Sequence, residues 1–312
     1  MGSGYQEALE RAAFDERADR GRVIVRGDDA KAFLHSLLTN DIESLTPGTA
    51  RYAALLTPQG RMITDMTVVG APGGELYMAV PSDAAGALAV RLDKSIFSEA
   101  AEVEDVSAAT AHFSVTGPEA RAALDASLAA VGAAGAREIV SWRSDELGLP
   151  GADVIVPAGM APALRAALQS RAAAMDAGTR RTLRIEAGRP EFGVDMTSDT
   201  IPLEANLLDR AISTTKGCYV GQEVIIRVLH RGGGRVAKRL AMLRFDGGPD
   251  AAPAAGTALM VDGRDVGKVT SAVWSPRAGA LAGLGYVHRD FVEIEELDLK
   301  LADGRRVTIT SV

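Results

Sequence analysis

The chain has 312 residues, 47% of them apolar, so it is globular and long enough for two or three domains that each bury a core. Its 34 Lys and Arg against 41 Asp and Glu leave a net charge of −7, which argues against sequence-independent binding to nucleic acid, an activity that needs a basic surface. No apolar run approaches the length that spans a bilayer, and residues 1–26 are rich in charge with no apolar signal core; with a single cysteine, this points to a reducing cytoplasm.

Along the chain, Asp28 can cap a helix over 29–38, with Phe33, Leu34, Leu37 and Leu38 as its apolar stripe. A hairpin follows: strand 51–56, a turn at Pro58-Gln59-Gly60, and strand 62–69. Strand 76–80 comes next, then a helix from Ser82 through Phe97 that aligns Leu88, Leu92 and Ile96. Strand 112–115 leads into Gly117-Pro118, where proline favours the first turn of a helix. Strands at 138–142 and 153–156 precede an alanine-rich helix over 161–175. A further helix over 179–187 is stopped by Gly188-Arg189-Pro190. Beyond Val236 the pattern changes to short strands at 240–245, 258–261, 265–270, 281–287, 297–301 and 307–310, separated by Gly, Pro and Asp turns. That spacing predicts a small antiparallel barrel or sandwich.

Between these two regions, Arg227, His230, Arg231, Arg235, Lys238 and Arg239 crowd one basic segment. Two readings stay open for it: a local nucleic-acid patch, or a solvated strand-and-turn surface. Gly232-Gly233-Gly234 precedes no strand–helix phosphate loop and suits a turn. The four histidines show no metal-ligand spacing.

The octapeptide Lys216-Gly217-Cys218-Tyr219-Val220-Gly221-Gln222-Glu223 holds the only cysteine. A lone thiol forms no internal disulfide, so it serves reactivity, ligation or packing. The glycines keep the backbone beside it uncrowded, and Lys216 would favour the thiolate if the two side chains meet. The segment resembles the KGCY-x-GQE signature of the folate-binding YgfZ family, relatives of the glycine-cleavage T-protein, an aminomethyltransferase. Three more stretches carry the likeness: Leu183–Pro190 resembles the family's RIEAGRP segment, Pro202–Leu207 its P-x-EANL segment, and Thr57–Arg61 with Asp65 the hairpin bearing the T-protein's folate-facing aspartate.

The resemblance implies an α+β cloverleaf: two ferredoxin-like units and a C-terminal antiparallel β-barrel around a central channel. Residues 1–50 with 145–235 form a discontinuous folate-binding unit, 51–144 an inserted unit, and 236–312 the barrel. It implies tetrahydrofolate, or a reduced derivative, held by Tyr52, Asp65, Glu186 and Lys216, with Asp65 and Cys218 as the catalytic candidates. A carboxylate such as Glu186 can accept a pair of hydrogen bonds from an amino-pyrimidinone edge. On this basis we expect a folate-binding accessory protein for iron–sulfur cluster assembly or repair, partnered by iron–sulfur clients or assembly proteins and affecting cluster-dependent enzymes such as those of tRNA modification. The alternative is a folate-dependent aminomethyltransferase of the T-protein type. One position departs from the T-proteins: Pro81 stands where they carry an asparagine, and proline offers no side-chain donor or acceptor.

Overall fold

The computed structural model describes residues 2–133, 135–231, 233, 235–294 and 297–311. Three sheets organise the chain. The first has strand order Ala50–Leu56, Met62–Gly70, Leu76–Pro81, Arg20–Arg26, Glu102–Asp105, antiparallel throughout. Alternation along its strands sends Val23, Val25, Met66, Val68 and Met78 to one face. There they pack on Phe33 and Leu34 of helix Ala30–Leu37 and on Leu88 and Leu92 of helix Ala85–Asp93.

The second sheet runs Ala173–Ala174, Ala13–Glu16, Thr110–Thr116, Gly151–Pro157, Val140–Ser144. Its apolar face, with Phe14, Phe113, Val115 and Val154, is covered by helices Ala120–Ala130 and Ala161–Gln169. Its other face is polar, placing Asp15, Ser114 and Asp153 in one row across three strands. At one edge the two sheets touch, through Val69 and Tyr77 of the first and Val140, Trp142 and Ile155 of the second. Strands Lys238–Phe245, Ala258–Val261, Arg264–Ser275, Ala280–His288, Leu299–Leu301 and Arg306–Ser311 close a six-stranded antiparallel barrel around Leu243, Phe245, Val269 and Leu281. No described helix is long and apolar enough to cross a membrane.

Several expectations are corrected. Strand Arg20–Arg26 and its partner Glu102–Asp105 share a sheet with 50–81, so the boundary drawn at 50/51 passes between hydrogen-bonded neighbours. Strand Val140–Ser144 likewise pairs with Gly151–Pro157 across the boundary at 144/145. The helix expected to reach Phe97 ends at Asp93. The Phe97 and Ser98 amides donate instead to the Glu99 carboxylate, which turns the chain and leaves the Phe97 ring 90% exposed. The alanine-rich helix stops at Gln169 because Ala173 and Ala174 peel off as a parallel strand beside Ala13 and Phe14. The basic segment is strand only in part: Arg227, His230 and Arg231 belong to helix Gln222–Arg231, while Lys238 and Arg239 open barrel strand Lys238–Phe245. The glycine turn at Gly232 and Gly234 lies outside the described residues.

Candidate functional site

The polar face of the second sheet looks across a cavity of about 800 Å³ toward the open face of the first, where Tyr52, Asp65, Thr67 and Ala79 line it. Asp65, on strand Met62–Gly70, is only 1% exposed. Its Oδ2 accepts a hydrogen bond from the Tyr52 hydroxyl at 2.6 Å, and its buried Oδ1 has no hydrogen-bond partner. Burial, with the Asp65 charge beside it, holds the Tyr52 phenol well above its usual range, so the hydroxyl stays a donor. The Arg210 guanidinium covers the Tyr52 ring at 5.1 Å.

A dense charge network forms the adjoining wall. Arg17 is 2% exposed; it donates to Glu146 at 2.6 Å and to Asp19 at 2.8 Å. Arg180 donates to Asp15 at 2.7 Å and lies 3.4 Å from Glu146. Arg20 sits between groups, 3.4 Å from Glu146 and 3.7 Å from Asp65 Oδ1. Burial alone would raise Glu146, but Arg17, Arg180 and Arg20 together pull it well below the carboxylate range. Sequence reasoning missed all of these residues. Asp15 and Arg17 carried a signal, opposite charges two apart at the end of strand Ala13–Glu16. Glu146 carried none, because its partners Arg17 and Arg20 lie more than a hundred residues away and Arg180 comes from a separate helix.

Glu186, expected as a pterin contact, is engaged elsewhere. It ends helix Ala177–Glu186 and accepts from the Tyr5 hydroxyl with both oxygens, at 2.8 and 2.9 Å. The Ser275 hydroxyl of the barrel donates to it at 2.5 Å, and Arg277 lies 3.5 Å away. Burial and the Glu186 charge push the Tyr5 phenol up to about 12. Glu186 is absent from the cavity lining and ties the N-terminal helix and the barrel together. Glu186→Ala should therefore lower stability by about 1.5–3 kcal/mol, read as a reduced urea midpoint, since the lost hydrogen bonds end on a charged acceptor.

The octapeptide also lies away from the cavity lining. The Lys216 ammonium donates to the carbonyls of His35, Leu38 (2.6 Å) and Asn40 (3.1 Å), satisfying the end of helix Ala30–Leu37, and covers the Tyr219 ring at 5.2 Å. Burial lowers Lys216 to about 8. Tyr219 is buried, Cys218 and its thiol are exposed, and Gln222 and Glu223 open helix Gln222–Arg231. Gly221 has φ 83°, and a Cβ there would meet the Thr57 carbonyl oxygen at 2.5 Å, so only glycine lets the segment close on the hairpin turn. Gly217 has open space around it. A separate groove of about 640 Å³ on the barrel, with Lys238, Lys268 and Tyr286 in its walls, holds none of the expected residues.

The family description "GCVT N-terminal domain" matches residues 6–157, and "Glycine cleavage T-protein C-terminal barrel domain" matches residues 238–312. An aminomethyltransferase from Geobacillus kaustophilus is 31% identical over 97% of this chain and 86% of its own length. The chain belongs to the glycine-cleavage T-protein family. Within that family, an aminomethyltransferase from Rubrobacter xylanophilus is 30% identical over 91% of this chain and 78% of its own. The crystal structure of glycine cleavage system aminomethyltransferase T from Bartonella henselae superposes with a TM-score of 0.86, covering 99% of this chain and 88% of that one; at 23% identity this shows the shared T-protein fold. These findings overturn the leading expectation of an iron–sulfur accessory protein. Relatives spanning nearly the whole chain carry the aminomethyltransferase name, and the cysteine on which that expectation leaned sits at an exposed turn outside the cavity.

Proposed function

We propose that this T-protein family member is a folate-dependent aminomethyltransferase that works in the central cavity. The observation that carries the reading is the Asp65–Tyr52 pair: a buried carboxylate with one oxygen bonded and the other unpartnered, in the wall of an 800 Å³ cavity. An orphaned buried acceptor suits a ligand that presents N–H donors, and the volume suits one of folate size. A reduced folate would supply the nitrogen nucleophile that accepts the one-carbon unit. Tyr52 fixes the orientation of Asp65 by donating to Oδ2, which leaves Oδ1 to hold or move a proton at the ligand's edge. Arg189 and Arg210, which share Asp145 at 3.0 and 3.8 Å, both line the cavity and offer two guanidiniums to a ligand carboxylate. The octapeptide supports a finer placement, in the cysteine-bearing branch that the YgfZ proteins represent, and the lone cysteine suits a reducing cytoplasm.

Titration calorimetry tests the reading. Tetrahydrofolate should give a saturable heat, unchanged in Cys218→Ser, because that thiol lies outside the cavity lining. No saturation with the folded wild type, or loss of binding in Cys218→Ser, contradicts it.

A further inference from the structure

The geometry points to Arg20 as a positioning residue for Asp65, one that compensates the buried carboxylate and steers its free oxygen toward the cavity. The inference rests on the reading of Asp65 as the working carboxylate. Arg20 opens strand Arg20–Arg26, where its Cα pairs with Pro81. On the other side of Pro81's strand, Thr67 pairs with Ala79, and continuing that register by two residues sets Asp65 opposite Pro81. Arg20, Pro81 and Asp65 thus form a row across three strands. Pro81 has no polar and no long side chain, so no side chain in the row separates the guanidinium from the carboxylate.

How Arg20 is held distinguishes it from its neighbour. Arg17 is locked by contacts of 2.6 and 2.8 Å to Glu146 and Asp19. Arg20 lies between three carboxylates without a short bond to any: 3.4 Å from Glu146, 3.7 Å from Asp65 and 3.8 Å from Asp19. Its side chain is 14% exposed, and it lines the cavity. Burial works against its charge, but Asp65 and Glu146 more than offset that and raise it above the usual arginine range. Arg20 is therefore a permanent cation with slack. It neutralises Asp65 without consuming Oδ1 as a hydrogen-bond acceptor, which leaves that oxygen for a ligand. The groups facing Asp65 are then Tyr52 from strand Ala50–Leu56 and Arg20 from strand Arg20–Arg26, with Glu146 and Arg210 one shell further out through Arg20 and Tyr52.

The test is a double-mutant cycle on the full chain: Arg20→Met and Arg20→Lys, each in the wild-type and in the Asp65→Asn background. Arg20→Met should lower the urea midpoint in the wild-type background and clearly less in the Asp65→Asn background, because asparagine needs no compensating cation, and lysine should restore most of the loss. In the same proteins, Arg20→Met should lower kcat at least tenfold with a smaller change in KM for tetrahydrofolate, and Arg20→Lys should recover part of it. Equal losses of midpoint in the two backgrounds overturn the inference. If the midpoints couple as expected but no variant, nor the wild type, turns over folate, the functional reading falls and the Arg20–Asp65 coupling stands.

Discussion

Asp65→Asn should reduce turnover by roughly 10²–10⁴-fold, the range that a positioned acid or base supplies. Asparagine keeps the shape, and its amide oxygen can still accept the Tyr52 hydroxyl that now lies 2.6 Å from Oδ2. What it loses is the ability to hold or release a proton at the position of the unpartnered Oδ1. The loss should appear in kcat, with tetrahydrofolate affinity reduced far less, since the cavity walls and the arginine pair near Asp145 are untouched. A steady-state assay over a range of folate concentrations separates the two. Retention of wild-type kcat would remove Asp65 from the chemistry and leave it as a strand residue that satisfies Tyr52.

The second large effect concerns the join between the body and the barrel. Arg184, on helix Ala177–Glu186, donates to Asp195 Oδ2 at 2.5 Å and to the Arg189 carbonyl at 2.7 Å. Asp195 Oδ1 accepts from the Thr270 and Ser271 hydroxyls of barrel strand Arg264–Ser275, each at 2.6 Å. The Asp195 side chain is 0% exposed and that of Arg184 8%. Arg184→Met removes the cation and strands a carboxylate away from water. Breaking such a pair costs about 3–5 kcal/mol, more than the thioether gains by packing. Urea denaturation should show the midpoint falling accordingly, with the barrel loosened first because its hydroxyls share the clamp. A midpoint equal to wild type would mean that Asp195 is held well enough by Thr270, Ser271 and the Glu191 amide alone.

Local pattern made much of this molecule legible before its structure. The barrel strands were visible because their apolar residues alternate and their turns are punctuated by glycine and proline. The hairpin that carries Asp65 was visible for the same reason, with Gly60 at φ 74° making its turn. Residues 1–26 were not assigned, although they supply helix Tyr5–Glu10 and two strands that line the cavity. Their charges were read only as the lack of an apolar signal core, whereas Arg17 is buried against acids brought in from other elements. Glu186 was misplaced for a related reason: a motif placed it near a ligand, but its partners Tyr5 and Ser275 stand 181 and 89 residues away. Lys216 was read as a neighbour for the thiol, yet its ammonium is spent on three carbonyls around the end of a helix. Long-range satisfaction of buried charge decided each of these positions, and no window of sequence contains it.

Aminomethyl transfer in the central cavity is most directly tested by ammonia release. The folded protein is incubated with an aminomethyl donor, with and without tetrahydrofolate, and ammonia is followed over time. The account predicts release that depends on folate, saturates with it, persists in Cys218→Ser and is lost in Asp65→Asn. Release that is absent, or equal with and without tetrahydrofolate, would contradict it.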